Sequence, residues 1–213
     1  MGHQVNDSSS TSRLFMSLII AVAGSKEAII GGDKRSITFL GSCPELEQEL
    51  YSGKLKTDED MLNRARELGS SLQVSDGREK VWRLGEVLVG EVTEISPTLE
   101  RRRRIYLVPG AYIMADVTGK EARVIGKGKV ACMVFGNRFT QDRANRGIKN
   151  VKGRIDAGTV GVILADISSM TPSISPEHCV LSTDVRQPNP EAAVLDALQE
   201  DCQKCGWRLC GQQ

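Results

Sequence analysis

Two short apolar runs, residues 18–23 and 28–30, stand on either side of Gly24, Ser25, Lys26 and Glu27, and the second runs into Gly31-Gly32-Asp33. Each run is too short for a globular helix, and a Gly/Ser/Lys turn between β-rich runs predicts a hairpin of buried strands. Hairpin geometry brings Ser17, before the first strand, near Asp33, at the end of the second. The residues alone leave two readings: a catalytic hydroxyl–carboxylate pair, or an ordinary strand-end Ser and turn Asp.

Residues 36–40 continue extended. Pro44 suits a first helical position, Leu46 and Leu50 share one face, and Gly53 ends the helix. Thr57 then reads as an N-cap, followed by Asp58, Glu59 and Asp60 in a first turn that favours acids. Met61, Leu62, Ala65 and Leu68 form an apolar stripe that Gly69 stops, so a helical hairpin is expected over residues 44–69. From Leu72 the pattern turns to strands. Val74 precedes the turn Asp76-Gly77, and Val81, Leu84, Val87 and Val89 punctuate 80–92. Residues 105–108 and 112–117 flank Pro109-Gly110, and 123–134 reads as a β-rich pair broken by Gly126-Lys127-Gly128. Residues 159–167, the most apolar late run, predict a central strand, and 170–176, with two prolines, a loop. Asn189-Pro190 opens a last helix with Val194, Leu195, Leu198 and Cys202 along one side. Several β-runs with few βαβ alternations give a mixed, largely antiparallel α+β protein.

Composition narrows the classes. The 213 residues suffice for one domain with a sizeable core. Residues 1–15 are polar and aperiodic, expected as a disordered extension or an over-called start, and lack the apolar core of a signal peptide. Residues 16–213 are expected as a single domain with a Cys-containing C-terminal helix and tail. Net charge is +1 and aromatics make up 4 %, so no nucleic-acid partner is expected. No apolar run approaches the ~20 residues of a membrane helix. Six dispersed Cys with no secretory signal point to free thiols in a reducing cytoplasm.

For catalysis, a conventional Ser–His–Asp site finds little support. The chain has only His3 and His178 and no Gly-x-Ser-x-Gly elbow. An N-terminal Ser, by contrast, carries its own base, an α-amine with a pKa of ~7.7–8.0. Met16 directly precedes Ser17, and removal of an initiator Met before a small residue would expose that amine. If residues 1–16 stay attached, Ser17 is no nucleophile of this kind. Arg101-Arg102-Arg103-Arg104 reads as a solvated loop or strand edge, with phosphate binding or docking of an acidic protein segment as alternatives. Cys202, Cys205 and Cys210 lack a nearby fourth ligand for zinc and read as a frayed, thiol-bearing tail.

The stretch from Ser17 through Gly31-Gly32-Asp33-Lys34-Arg35 resembles the start of a mature proteasome β subunit, an N-terminal nucleophile hydrolase. Residues 16–21, Met-Ser-Leu-Ile-Ile-Ala, and 50–60, Leu-Tyr-Ser-Gly-Lys-Leu-Lys-Thr-Asp-Glu-Asp, resemble Connectase, a proteasome-related family of protein ligases in methane-producing archaea. The resemblance implies stacked β-sheets flanked by helices, with 44–69 as an insertion, and Ser17 as nucleophile with Asp33 as carboxylate partner. It implies a catalytic Lys in a Lys-Val-aromatic-basic-aliphatic setting, which Lys80-Val81-Trp82-Arg83-Leu84 supplies; Lys34, Lys54 and Lys56 compete. It implies no cofactor. Its implied partner is the A subunit of the methanogenic methyltransferase, bearing Lys-Asp-Pro-Gly-Ala. Peptide exchange is the expected reaction. Hydrolysis by the same nucleophile, or a non-enzymatic adaptor using Arg101–Arg104, are the alternatives.

Overall fold

The computed structural model describes residues 17–96 and 99–210. The expected extension at 1–15, with Met16, lies outside the described residues. β1 (Ile19–Ala23) and β2 (Ala28–Asp33) come first, and β3 (Ser36–Leu40) leads into α1 (Pro44–Tyr51), α2 (Asp58–Glu67) and β4 (Ser71–Ser75). Six strands follow: β5 (Val81–Leu84), β6 (Val87–Ser96), β7 (Leu99–Val108), β8 (Ala111–Thr118), β9 (Glu121–Gly128) and β10 (Ala131–Phe135). Then come α3 (Arg138–Asn150), α4 (Ala157–Ser168), β11 (His178–Thr183), α5 (Pro190–Cys205) and β12 (Arg208–Cys210). The class is α+β.

β1 and β2 form the expected antiparallel hairpin, Ile19 opposite Gly32 and Ala23 opposite Ala28. It is the centre of a four-stranded antiparallel sheet in the order β10-β1-β2-β11. A six-stranded sheet runs β12-β9-β8-β7-β6-β5. Residues alternate along β1 as a strand with two buried faces requires. Ile19, Ala21 and Ala23 join Leu88, Val92, Ile105 and Leu107 of the other sheet in one core. Ile20 instead packs with Ala144, Val160, Ile163 and Leu164 of α3 and α4. The second face of the six-stranded sheet covers Val194, Ala197 and Leu198 of α5. The layers are therefore helices, sheet, sheet, helix. The sheets approach so closely that a Cβ on Gly90 of β6 would stand 2.6 Å from the Ile30 side chain.

The helical hairpin forms over 44–69 as expected. Thr57 and Asp60 make a reciprocal capping box, and Gly53 and Gly69 end the two helices with φ of +73° and +62°. With β3 and β4 it encloses a core of its own, built on Ile37, Leu46, Leu50, Tyr51 and Met61.

Four expectations are corrected. Residues 159–167 form helix α4, not a central strand. The Asp156 side chain accepts the Thr159 N–H at 2.7 Å, and Val160, Ile163, Leu164 and Ile167 bury one helical face while Val162 is 70 % exposed. Arg101–Arg104 lie in β7, inside the six-stranded sheet, not in a loop or at an edge. Arg103 grips Asp116 of β8 at 2.7 and 2.9 Å, and buried Arg104 pairs with Glu91 and Asp201 between the Trp82 and Trp207 rings. β9 and β10 are not a pair, because the chain passes from one sheet to the other between them. The C-terminal segment is not frayed, since β12 pairs in parallel with β9.

Candidate functional site

The hairpin ladder ends on a side chain. Asp33 N–H donates to the Leu18 carbonyl at 3.2 Å, and the Leu18 N–H donates to Asp33 Oδ1 at 2.7 Å. One residue thus holds both main-chain groups of Leu18 and fixes the chain directly after Ser17, which is itself buried. The second carboxylate oxygen, Oδ2, accepts the Arg35 N–H at 2.8 Å.

Lys80, immediately before β5, brings its ammonium to the same carboxylate. Nζ donates to Oδ1 at 2.9 Å, to Oδ2 at 2.8 Å and to the Arg35 carbonyl at 2.6 Å. Asp33 is 1 % exposed and Lys80 2 %, which rules out a solvated strand-end lysine. Burial pushes the Lys80 pKa below its ordinary value, and the Asp33 charge opposes that shift. Of the competing lysines, Lys54 pairs with Glu49, and Lys56 donates to the Gly53 carbonyl and lies over the Phe139 ring. Lys34 is half-buried, its main-chain N–H on Ser175 Oγ.

Three further groups adjoin this assembly, and sequence reasoning assigned none of them a role. The first is the start of α3. A Cβ on Gly136 would lie 2.9 Å from the Ser17 carbonyl oxygen and 2.6 Å from Thr140 Oγ1, so only glycine lets α3 begin here. Asn137 caps α3 by accepting the Thr140 N–H at 2.9 Å and donates its amide to Ser173 Oγ at 3.2 Å. The second is the loop after α4, expected as a loop but buried. Thr171, Ser173 and Ser175 are at most 2 % exposed. Thr171 bonds Ser173, while Ser175 Oγ accepts the Lys34 N–H at 2.8 Å and donates to the Glu177 carbonyl at 2.5 Å. The run of small hydroxyls in Thr171-Pro172-Ser173-Ile174-Ser175 is the only sequence signal, and surface loops share it.

Arg35 is the third. Its guanidinium donates to Asp76 at 2.8 and 2.8 Å, to Asp58 at 2.5 and 3.1 Å, and to the Pro172 carbonyl at 2.8 Å. The hydrogen bond to Asp76, opposed by burial and reinforced by Asp58, raises the Arg35 pKa further above its ordinary value. The main chain of Arg35 touches both Asp33 and Lys80, and its side chain reaches the first turn of α2. The helical hairpin and the buried ion pair therefore share one residue.

The three nominated residues converge: Asp33 and Lys80 directly, Ser17 through the peptide unit that Asp33 holds. A buried cation held by a carboxylate one residue from a serine is suited to stabilise negative charge developing there. Among the described residues, no group of three His, Cys, Asp or Glu side chains is placed to hold a metal, and no helix is long and apolar enough to cross a membrane.

Residues 16–203 match the family model described as Connectase MJ0548-like, N-terminal domain. No curated protein matches the chain.

Proposed function

The chain belongs to the Connectase family, and from that premise we propose that it is a protein ligase whose nucleophile is Ser17 at the N-terminus of the active form. The observation that carries this reading is the buried Asp33–Lys80 pair whose carboxylate holds the residue next to Ser17. The family match begins at Met16, one position before Ser17, which supports exposure of the Ser17 amine by removal of what precedes it.

The chemistry follows from these groups. The Ser17 α-amine takes the hydroxyl proton as Oγ attacks a peptide carbonyl. Lys80, kept charged by Asp33, stabilises the alkoxide as it develops and disfavours a protonated amine. Collapse of the tetrahedral adduct breaks the peptide C–N bond, and the departing amine carries the proton away. The acyl group then rests as an ester on Oγ and moves to the Ser17 nitrogen, giving an amide. An incoming N-terminal amine reverses these steps and regenerates free Ser17. Peptide bonds are exchanged with no net hydrolysis, and no cofactor enters.

The reading extends to a cytoplasmic protein stacked as in the N-terminal nucleophile hydrolases. Its proposed partner is the methyltransferase A subunit carrying Lys-Asp-Pro-Gly-Ala. The adaptor alternative loses support, because Arg101, Arg103 and Arg104 are bound to carboxylates of the sheet, Arg104 also to Asp201 of α5. Mixing the protein that begins at Ser17 with a Lys-Asp-Pro-Gly-Ala peptide and a second amine-bearing peptide tests the proposal. A spliced peptide supports exchange; hydrolysed peptide alone would support a protease instead.

A further inference from the structure

We propose that the exposed face of α3 docks an acidic segment of the protein substrate; the inference rests on the proposed peptide exchange and adds how the partner is held. Residues 138–154 carry Arg138, Arg143, Arg146, Lys149, Lys152 and Arg154 against one acid, Asp142, in a chain whose net charge is +1. All six are exposed. Helical geometry puts Arg138, Arg146 and Lys149 on the side opposite buried Thr140 and Ala144, with Asp142 among them, while Arg143 lies on the flank over the Phe139 ring.

Arg35, Arg64, Arg103 and Arg104, by contrast, are held by carboxylates. Among the described residues, Arg154 is the one member of the six in an ion pair, with Glu27. Arg143 and Arg146, and Arg146 and Lys149, are like-charge neighbours three positions apart, which Asp142, four positions from Arg138 and from Arg146, offsets only in part. The stretch keeps a net positive charge, which a partner of opposite charge complements.

Position identifies the partner. The stripe begins at Arg138, two positions after buried Gly136 that lies against the Ser17 carbonyl, and ends at a cleft of about 480 Å³ between the β1–β2 turn and residues 153–155. A segment lying along it is covalently continuous with the peptide at Ser17. Nucleic acid fits less well: Phe139, the aromatic of the helix, is already flanked by Lys56 and Arg143 at 5.4 and 5.3 Å, leaving no free platform for a base. Opposite charge along the stripe speeds encounter and makes it depend on salt.

The test compares Lys-Asp-Pro-Gly-Ala peptides extended on either side by six Glu or by a neutral Gly/Ser tail of equal length. On one side, the acidic tail is expected to raise the second-order rate of adduct formation about tenfold at low salt, the gain vanishing near 0.5 M salt, where the Debye length is about 4 Å. Arg146→Glu/Lys149→Glu/Lys152→Glu should abolish the gain and leave the neutral peptide's rate within about twofold. Equal rates for both tails, or loss of both in the variant, overturns the proposal. Fluorescence anisotropy of a labelled hexaglutamate peptide without the motif separates it from the reaction chemistry. Binding that the triple variant loses supports the surface even where no adduct forms; tighter binding of a DNA oligonucleotide than of hexaglutamate, through the same residues, overturns it.

Discussion

Lys80 Nζ stands 2.9 and 2.8 Å from the two carboxylate oxygens of Asp33, 47 positions earlier in the chain, with both side chains sealed from water. Removing one member of a buried pair leaves the other charge uncompensated, at a cost of about 3–5 kcal/mol. Lys80→Met should therefore lower stability as well as acylation, so loss of activity alone will not define its role. Lys80→Met/Asp33→Asn is expected to recover part of the stability, read by urea unfolding, with adduct formation still down at least about 100-fold, the scale of a lost transition-state charge contact. Activity returning with stability would reduce the pair to a structural element.

Burial lowers the Lys80 pKa, so this group loses its proton at a lower pH than an ordinary lysine. If its charge is needed, single-turnover acylation should fall on the alkaline side at a pH below the usual lysine value of ~10.4. Rates measured from pH 6 to 11 on the folded enzyme decide this. A plateau persisting past pH ~10.4 would contradict a lowered pKa at a group whose charge the reaction needs.

Arg35 ties the helical hairpin to the ion pair, and its hydrogen bond to Asp76 holds that carboxyl below the usual range. A depressed acid contributes stability above the unfolded value of ~3.9, and the contribution is lost as pH falls through the folded value. Wild type should exceed Asp76→Asn in thermal midpoint by a constant margin from pH 7 to about 4, narrowing below. A gap that widens with acid would contradict the assignment.

Arg104 lies between the Trp82 and Trp207 rings at 5.2 and 4.4 Å, on a strand interior to its sheet. Arg104→Ala should cost about 3–5 kcal/mol by orphaning Asp201 and Glu91 and change the tryptophan emission. Arg123→Ala, at a mostly exposed arginine, should cost under about 1 kcal/mol. Equal effects would mean that Arg104 is solvated, as the basic run first suggests.

How far the sequence reaches differs by element. The β1–β2 hairpin and the pair of helices at 44–69 are legible because turn residues and caps bracket short apolar runs. The α4 run misleads because Val160, Val162 and Ile163 favour strands, while the cap on Asp156 and the spacing of Val160, Ile163, Leu164 and Ile167 favour helix; length and cap prevail. α3 stays hidden because it buries little more than Thr140 and Ala144. Ser17 and Asp33 are legible as hairpin ends. Lys80 is not, except by resemblance, since β3, the helical hairpin and β4 separate it from its partner in the chain. Asn137 and Ser173 carry no local signal, because long-range packing alone makes them neighbours of the site; Arg35 follows Asp33 in the chain, but its reach to Asp58 and Asp76 is equally long-range.

The most direct measurement is intact-mass analysis of the protein starting at Ser17 after mixing with a Lys-Asp-Pro-Gly-Ala peptide, beside Ser17→Ala. Expected is a mass gain equal to the acyl fragment on the wild type, none on Ser17→Ala, and its transfer to an added amine-bearing peptide faster than to water. Transfer over hydrolysis requires a bound acceptor at high effective concentration. An unmodified wild-type mass, or an adduct that forms equally on Ser17→Ala, would contradict Ser17 as the nucleophile.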